Sequence, residues 1–258
     1  MKLVFSGIMI PISTIDWYGR SASVIFFNGC NLKCLYCSNN NFIRVANQRL
    51  EPLYKGGSII DIEELEKQIL DTKMFISAVV FSGGEPTAHP EELEHLAKFA
   101  KSQGLLVGIE TNGYYPERIA RLFEKKLIDK IFLDIKAPLE DAKRYSLITG
   151  GINDAAQHVR KTLNLKGLPI EVRTTVFRGI ADVIPIARSL EGRECTYVIQ
   201  QGIPENAPDK EIRKEKAFSR DELVALAQSV SFLKEIRIRS REKGEEKIIN
   251  SEADEPHF

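Results

Sequence analysis

Cys30, Cys34 and Cys37 bring three soft thiol ligands together within eight residues, Cys30-Asn-Leu-Lys-Cys34-Leu-Tyr-Cys37, and the whole chain holds only four cysteines. Thiolates at this spacing can converge on one metal centre, and in particular on an iron–sulfur cluster. Three ligands on a cluster of four irons leave one iron open, and an open iron can do chemistry. The same spacing is also half of a structural zinc site, which needs a fourth ligand. His89 is a candidate for that place. The remaining cysteine, Cys195, lies in an apolar run and reads as a small buried hydrophobe.

Other residues with chemical capacity stand at regular intervals further on. Ser82-Gly-Gly-Glu-Pro86 offers two glycines, which let backbone approach a ligand without interference from a Cβ. Glu85 then adds a carboxylate that could hold an ammonium group. Glu110-Thr-Asn-Gly113 is a polar turn. Asp134 and Lys136, two apart in an extended run, point to the same face and could grip a zwitterionic or ribose-bearing ligand. Arg173 and Thr175 come from within a later run, and Gln200-Gln201 close another. Each has a bland counterpart: an ordinary turn, a strand-end ion pair, a structural cap on a sheet. His89, His95, His158 and His257 read as surface residues, and none is placed to act as a general base.

The elements that must position these groups follow from periodicity. Apolar β-type runs at 23–28, 78–82, 105–110, 130–135, 170–176 and 195–200 alternate with helical patterns at 61–70, 90–103, 116–126, 153–166 and 181–190. Asp61 with Glu64 resembles a capping box, and Pro90 with Gly104 brackets the second helix. Leu93, Leu96, Ala97 and Ala100 share its apolar face. Repeated strand–helix units imply a parallel sheet with right-handed crossovers. Six such strands are too few for a closed eight-stranded barrel and suit an open one. In parallel α/β sheets ligands gather at the carboxyl ends of strands, where the cysteine run, Ser82–Pro86, Glu110–Gly113, Asp134 with Lys136, and Gln200-Gln201 fall, with Arg173 and Thr175 added from within a strand.

The chain of 258 residues is expected to be one domain, with a core over about 20–202. Residues 203–258 add a charged connection, a helix near 221–230 and a short strand at 235–239. The run 209–216 reads as solvated and the last fifteen or so residues as frayed. Lysine plus arginine equals aspartate plus glutamate at 36 each, which gives no electrostatic reason for a nucleic-acid or membrane partner. The opening 1–10 reads as a first strand, interrupted by Ser6 and Gly7, and not as a signal peptide. With so few cysteines, the expected location is the reducing cytoplasm.

Taken together, Cys-x3-Cys-x2-Cys with Tyr36 before the last cysteine, followed by Gly83-Gly-Glu-Pro86, resembles the radical S-adenosylmethionine (radical SAM) superfamily. Glu110-Thr-Asn-Gly113, Asp134-Ile-Lys136 and Arg173-Thr-Thr-Val176 extend the likeness to its glycyl-radical-enzyme activases. Tyr197-Val-Ile-Gln-Gln201 is similar to the branch that activates anaerobic ribonucleoside-triphosphate reductase. The likeness covers roughly 5–202. Departures from the pattern are Ser38 where His is common, Glu110 where Asp is common, and Gln200-Gln201 where one branch has His. These bear on the branch and not on the cofactor.

The resemblance implies a partial (β/α)6 TIM-like barrel of the radical SAM type. Cys30, Cys34 and Cys37 would ligate a [4Fe–4S] cluster whose fourth iron binds S-adenosylmethionine. Gly83, Gly84 and Glu85 would contact the methionine amine, with backbone near Tyr36 and Ser38 at the adenine. Asp134 and Lys136, the proposed catalytic pair, would hold the ribose and carboxylate side. Asn39, Glu110, Asn112, Arg173 and Gln200 complete the expected cofactor contacts. Reductive cleavage would give a 5′-deoxyadenosyl radical that takes a Cα hydrogen from a glycine of the partner reductase, with reduced ferredoxin or flavodoxin as electron donor. Two alternatives stand beside this one: a radical enzyme acting on a small molecule, in the manner of 7-carboxy-7-deazaguanine synthases, and a metal-stabilised binding module without chemistry.

Overall fold

The apolar run that leads into the cysteines folds as strand β2 (Ala22–Phe27) in a computed structural model of the chain, which describes residues 7–39, 61–180 and 182–248. Contacts divide the chain into two compact units. One comprises Met1–Lys33, Asn39–Leu133 and His158–Pro169, the other Cys34–Ser38, Asp134–Gln157 and Ile170–Phe258.

In the first unit β1 (Gly7–Ser13) pairs antiparallel with β2. This is the described part of the expected opening strand; residues 1–6 lie outside the described residues. Strands β3 (Ala78–Gly83), β4 (Leu106–Thr111) and β5 (Lys130–Asp134, its last residue in the other unit) follow parallel to β2 in chain order. Alternation places Ala22, Val24, Ala78, Val80 and Phe132 on one face, where they pack with Trp17. Gly108 makes that packing possible, because a Cβ there would come within 2.7 Å of Phe132 and 3.0 Å of Trp17. The rings of Trp17 and Phe132 meet edge to face at 5.4 Å. Further along the same face, toward the carboxyl ends, the side chains turn polar with Ser82 and Glu110.

Helices cover this unit as their patterns require. α1 (Ile62–Thr72) begins at Asp61, whose carboxylate accepts the Glu64 N–H at 2.9 Å. α2 (Pro90–Ser102) buries Leu93, Leu96, Ala97 and Ala100, each large aliphatic one contributing roughly 1.5–3 kcal/mol. α3 (Pro116–Glu124) buries Ile119 and Leu122 and gives way at Lys126, which takes a positive φ of 56°.

The second unit holds α4 (Ala142–Ile148), the start of α5 (Ala155–Leu163, in the first unit from His158), β6 (Ile170–Val176), α6 (Val183–Arg188), β7 (Thr196–Gln201), α7 (Arg220–Gln228), β8 (Ile236–Ser240) and β9 (Gly244–Ile248). Strands β6, β7 and β8 are parallel, and β9 turns back on β8. Helix α7 carries a full capping box between Ser219 and Glu222.

Four expectations change here. The short strand near 235–239 is a further parallel strand, with Ile236 and Ile238 buried and Arg237 and Arg239 on the other face. Residues 244–248, read as frayed, form β9, since Glu245 pairs with Arg237 and Arg239, and Glu246 with Arg220. The rest of the expected frayed tail, 249–258, lies outside the described residues, as does the first residue of the helix expected from 181. Helix α4 was unforeseen. The charged run 209–216 is anchored rather than merely solvated: Ile212 is buried and Arg213 donates to the Ala207 carbonyl. Among the described residues, no helix is long and apolar enough to cross a membrane.

Candidate active site

In the first unit the site begins where β3 ends. Gly83 has a φ of 111°, and a Cβ there would lie 2.4 Å from the Phe27 backbone. One on Gly84 would lie 1.9 Å from the Gly29 carbonyl oxygen. The loop is stitched to the stem of the cysteine run: Gly84 N–H donates to Phe27 O at 2.8 Å and Glu85 N–H to Gly29 O at 2.9 Å. The two glycines are therefore required by backbone packing just before Cys30, a reason for them that the sequence did not show. Asn39 donates to the Gly83 carbonyl at 2.9 Å. His89 is likewise not a surface residue. Its Nε2 lies 2.6 Å from the Asn28 carbonyl, an acceptor only, so this nitrogen carries the proton.

Glu85 is fully enclosed. One oxygen takes the Thr87 N–H (3.0 Å), the Thr87 hydroxyl and the Thr111 hydroxyl (2.8 Å); the other takes the Asn112 N–H at 2.7 Å. Burial raises its pKa above the ordinary carboxylate value, against the pull of these donors. A carboxylate surrounded this way also braces the turn, a role beside the expected one of holding an ammonium group. Its effect is to fix Asn112. The Asn112 side-chain amide then donates to Asn31 at 2.9 Å and reaches the Cys30 sulfur at 3.6 Å. The Leu32 N–H also points at that sulfur, at 3.4 Å. Glu110 accepts from Ser82 at 2.5 Å.

Sequence reasoning missed the aromatic pair that follows. Tyr114 stacks on His158 at 4.5 Å, so His158 too is no surface residue. Tyr115 carries the Arg118 guanidinium over its ring at 4.1 Å. Two adjacent tyrosines directly after Asn-Gly were the available signal.

In the second unit Cys34 is buried, Cys37 half-buried and Ser38 exposed. Burial pushes the Cys34 thiol up to about 11, with Lys136 opposing. Such a thiol keeps its proton until a metal replaces it. The Leu35 N–H donates to the Ile148 carbonyl of α4 at 3.0 Å, and the Leu35 carbonyl accepts from Asp209 N–H at 3.1 Å. Helix α4 and the charged connection thus strap this part of the cysteine run. Tyr36 stacks on Phe177 at 4.8 Å and its hydroxyl lies 3.4 Å from the Lys136 carbonyl.

Lys136 is nearly buried (12% exposed) and pairs with the half-exposed Asp134 (43%) at 3.0 Å. Burial alone would lower its pKa; Asp134, with the neighbouring Cys34, Tyr36 and Tyr145, outweighs that and holds it well above the ordinary lysine value. Arg173 is tied to the fully buried Glu171 at 2.8 Å, within a ladder that continues through Arg237. The Gln200 carbonyl oxygen accepts from Arg239 at 3.2 Å. Gln201 is bound to the Phe218 carbonyl and, at 2.7 Å, to the Arg241 N–H. Cys195 is half-buried and precedes β7, so it is not the core residue expected.

An iron–sulfur cluster suits the three cysteines by donor type, and N–H groups already directed at the Cys30 sulfur are what a thiolate ligand requires. Among the described residues, no three metal-ligating side chains stand gathered as a preformed metal site. The ligand assignment therefore rests on residue type, spacing and these hydrogen bonds.

Comparison with known proteins agrees with this chemistry. The family model described as Radical SAM superfamily matches residues 24–183. A Methanocaldococcus jannaschii protein, MJ1227, assigned by name to the glycyl-radical enzyme activating enzymes, is 34% identical over 83% of this chain and 86% of its own. The pyruvate formate-lyase-activating enzyme of Clostridium pasteurianum is 31% identical over 62% of this chain and 63% of its own. Among solved structures, a radical SAM methyltransferase from Sphaerobacter thermophilus superposes with a TM-score of 0.63 at 16% identity, over 87% of this chain and 68% of its own. TYW1 with a lysine–pyruvate adduct bound gives 0.58 at 17% identity, over 86% and 77%. At such identities these two speak for the fold alone, a parallel-dominated α/β fold that agrees with the expected partial TIM-like barrel. The chain belongs to the radical SAM superfamily and, at the level of family, to its glycyl-radical-enzyme activating enzymes, which work with a [4Fe–4S] cluster and S-adenosylmethionine.

Proposed function

We propose that this chain activates an anaerobic ribonucleoside-triphosphate reductase by generating a glycyl radical on it, in the cytoplasm, with reduced ferredoxin or flavodoxin as electron source. The observation that carries the activase reading is the 34% identity to a protein of that family name over 83% of the chain. The choice of reductase rests on Tyr197-Val-Ile-Gln-Gln201. Cys30, Cys34 and Cys37 hold the cluster in this reading. Bound there with S-adenosylmethionine, the cluster supplies a one-electron reductive cleavage of the sulfonium carbon–sulfur bond, paired with removal of a glycine Cα hydrogen.

The chain's own residues bind and orient. Lys136 has three N–H donors and one bond to Asp134, which leaves donors for the cofactor carboxylate. Asp134, half-exposed, is able to accept from ribose hydroxyls. With the Glu85 side chain enclosed, contact with the methionine amine passes to backbone carbonyls of the 83–85 turn. Backbone near Tyr36 and Ser38 serves the adenine, and Asn39, Glu110, Asn112, Arg173 and Gln200 are the further cofactor contacts of this reading. A glycine target has a physical basis, since only a residue without a side chain presents a bare Cα to a narrow site.

The test is anaerobic reconstitution with S-adenosylmethionine and a reductant, followed by electron paramagnetic resonance of candidate partners from the same cell. A glycyl doublet on the reductase is expected. A doublet on a pyruvate formate-lyase and none on the reductase would overturn the choice of partner.

A further inference from the structure

Two residues outside the proposed set of contacts, Phe177 and Gly202, meet where β6 and β7 end. Val176 with Gln201 is the last pair in the register of these strands, and the Gly202 N–H still donates to the Val176 carbonyl at 3.2 Å. Phe177 and Gly202 therefore continue the strands side by side at their carboxyl ends, where parallel sheets place ligands. The Phe177 ring is buried. A Cβ on Gly202 would lie 2.5, 2.6 and 2.7 Å from its Cζ, Cε1 and Cε2 atoms. Near-equal distances to three adjoining atoms put that Cβ over the face of the ring and not at its rim. Gly202 takes no left-handed φ, so no turn demands a glycine there. What demands it is the ring.

The same ring carries Tyr36. The two stack with centroids 4.8 Å apart and planes 29° from parallel. Tyr36 is itself buried, and its hydroxyl lies 3.4 Å from the Lys136 carbonyl. Its neighbour Leu35 is held on both sides, by the Ile148 carbonyl and the Asp209 N–H. The segment between Cys34 and Cys37 thus has its backbone pinned at Leu35 and its one aromatic side chain pinned on Phe177. In a close-packed interior a Cβ at position 202 cannot be absorbed without moving the ring, and moving the ring breaks the stack.

We infer that Phe177 and Gly202 are positioning residues for the adenine end of S-adenosylmethionine. Gly202 leaves the space in which the Phe177 ring lies, and that ring holds Tyr36, whose backbone with that of Ser38 serves the adenine. Both residues act through Tyr36. The inference rests on the reading of that backbone as the adenine contact.

The experiment measures S-adenosylmethionine binding to the reconstituted full chain by equilibrium dialysis, expressed per assembled cluster, beside thermal melts. Gly202→Ala and Phe177→Leu should each weaken binding about tenfold, and the double variant should also stay near about tenfold instead of the roughly hundredfold of two independent losses. The electron paramagnetic resonance signal of the reduced cluster should match the wild type until cofactor is added, and reach its bound form only at higher cofactor concentration. Ile238→Val, a buried change on β8 in the same unit, should lower the melting temperature and leave binding at the wild-type value. The double variant removes the ring that a new Cβ would meet, so its comparison with Phe177→Leu stands even if Gly202→Ala alone does not fold. Wild-type binding in Phe177→Leu, a double variant about tenfold weaker than Phe177→Leu, or equal weakening in Ile238→Val would overturn the inference. S-inosylmethionine, in which a carbonyl replaces the adenine amino group, separates the underlying reading. A wild-type chain that binds it as tightly as S-adenosylmethionine, or that binds neither, would sink the adenine contact on which the inference rests.

Discussion

Glu85 in the first unit and Lys136 in the second are both largely withdrawn from solvent, and the two are put to opposite uses. Glu85 in the first unit is fully enclosed, and all of its bonded donors come from its own unit: Thr87, Thr111 and the Asn112 backbone. Lys136 in the second is almost as deeply buried, yet its one bonded partner, Asp134, stands 43% exposed. Glu85 has both oxygens engaged by donors of its own unit, and it holds the turn that directs Asn112 at Cys30. Lys136 retains donors, so it can take a ligand. The cysteines differ in the same sense, Cys30 with N–H groups at its sulfur and Cys34 in a desolvated place. Burial alone, then, does not mark a functional charge. What marks it is whether the neighbours leave it unsatisfied.

The largest expected effect tests whether either unit's cysteine is dispensable. Cys34→Ser should abolish cluster assembly and S-adenosylmethionine cleavage while circular dichroism stays that of the native fold. A variant with full iron content and turnover would remove the basis for the comparison. Next, Glu85→Ala strips the buried donors of their acceptor and should cost about 3 kcal/mol or more, roughly 6–12 °C in Tm for a chain of this size. Lys136→Met should behave in the reverse way. Asp134 can turn to water, so stability should change by less than about 1 kcal/mol. Affinity for S-adenosylmethionine should fall about tenfold, or about 1.4 kcal/mol. Equilibrium dialysis beside thermal melts separates the two. If Lys136→Met unfolds the chain, or Glu85→Ala leaves its melt unmoved, the roles assigned here are reversed.

How much of this was legible in the sequence depended on the range of the cause. The strands, the buried face of α2 and the Asp61 cap follow from neighbours a few residues away. The tight cysteine spacing is equally local. The role of Glu85 was not legible, because it depends on Thr111 and Asn112, brought in from β4. Nor was the reason for Gly83-Gly84, which is the backbone of Phe27 and Gly29 more than fifty residues earlier. Helix α4 is one short segment of seven residues, and its only clear sign was Asp141, which caps it by accepting the Arg144 N–H. The β8–β9 hairpin was concealed by its own charges. Strand β8 was expected, but Gly244-Glu-Glu-Lys-Ile248 read as frayed until the register sets Glu245 across from Arg239.

The smallest effect sharpens the contrast from the surface of the first unit. Glu94 on α2 binds Lys98 at 2.7 Å and Lys125, at the end of α3, at 2.7 Å. Hydrogen bonds from Lys125 and then Lys98 lower its pKa from 4.5 to about 2. A carboxylate depressed in the folded state adds stability above its unfolded pKa and loses it as pH falls through the folded one. Its contribution should therefore be intact above about pH 5 and should disappear between 4.5 and about 2. Glu85, shifted upward by burial, has the opposite slope: it loses stability as pH rises from the ordinary carboxylate range through its folded value. Because the Lys98 and Lys125 side chains are 59% and 35% exposed, solvent screens the Glu94 pairs, and the loss should stay under about 1 kcal/mol and shrink with added salt. Denaturant melts of wild type and Glu94→Gln across that pH range give the difference directly. A gap that widens toward acid, or one that salt leaves untouched, would mean that Glu94 is held by something other than its two lysines.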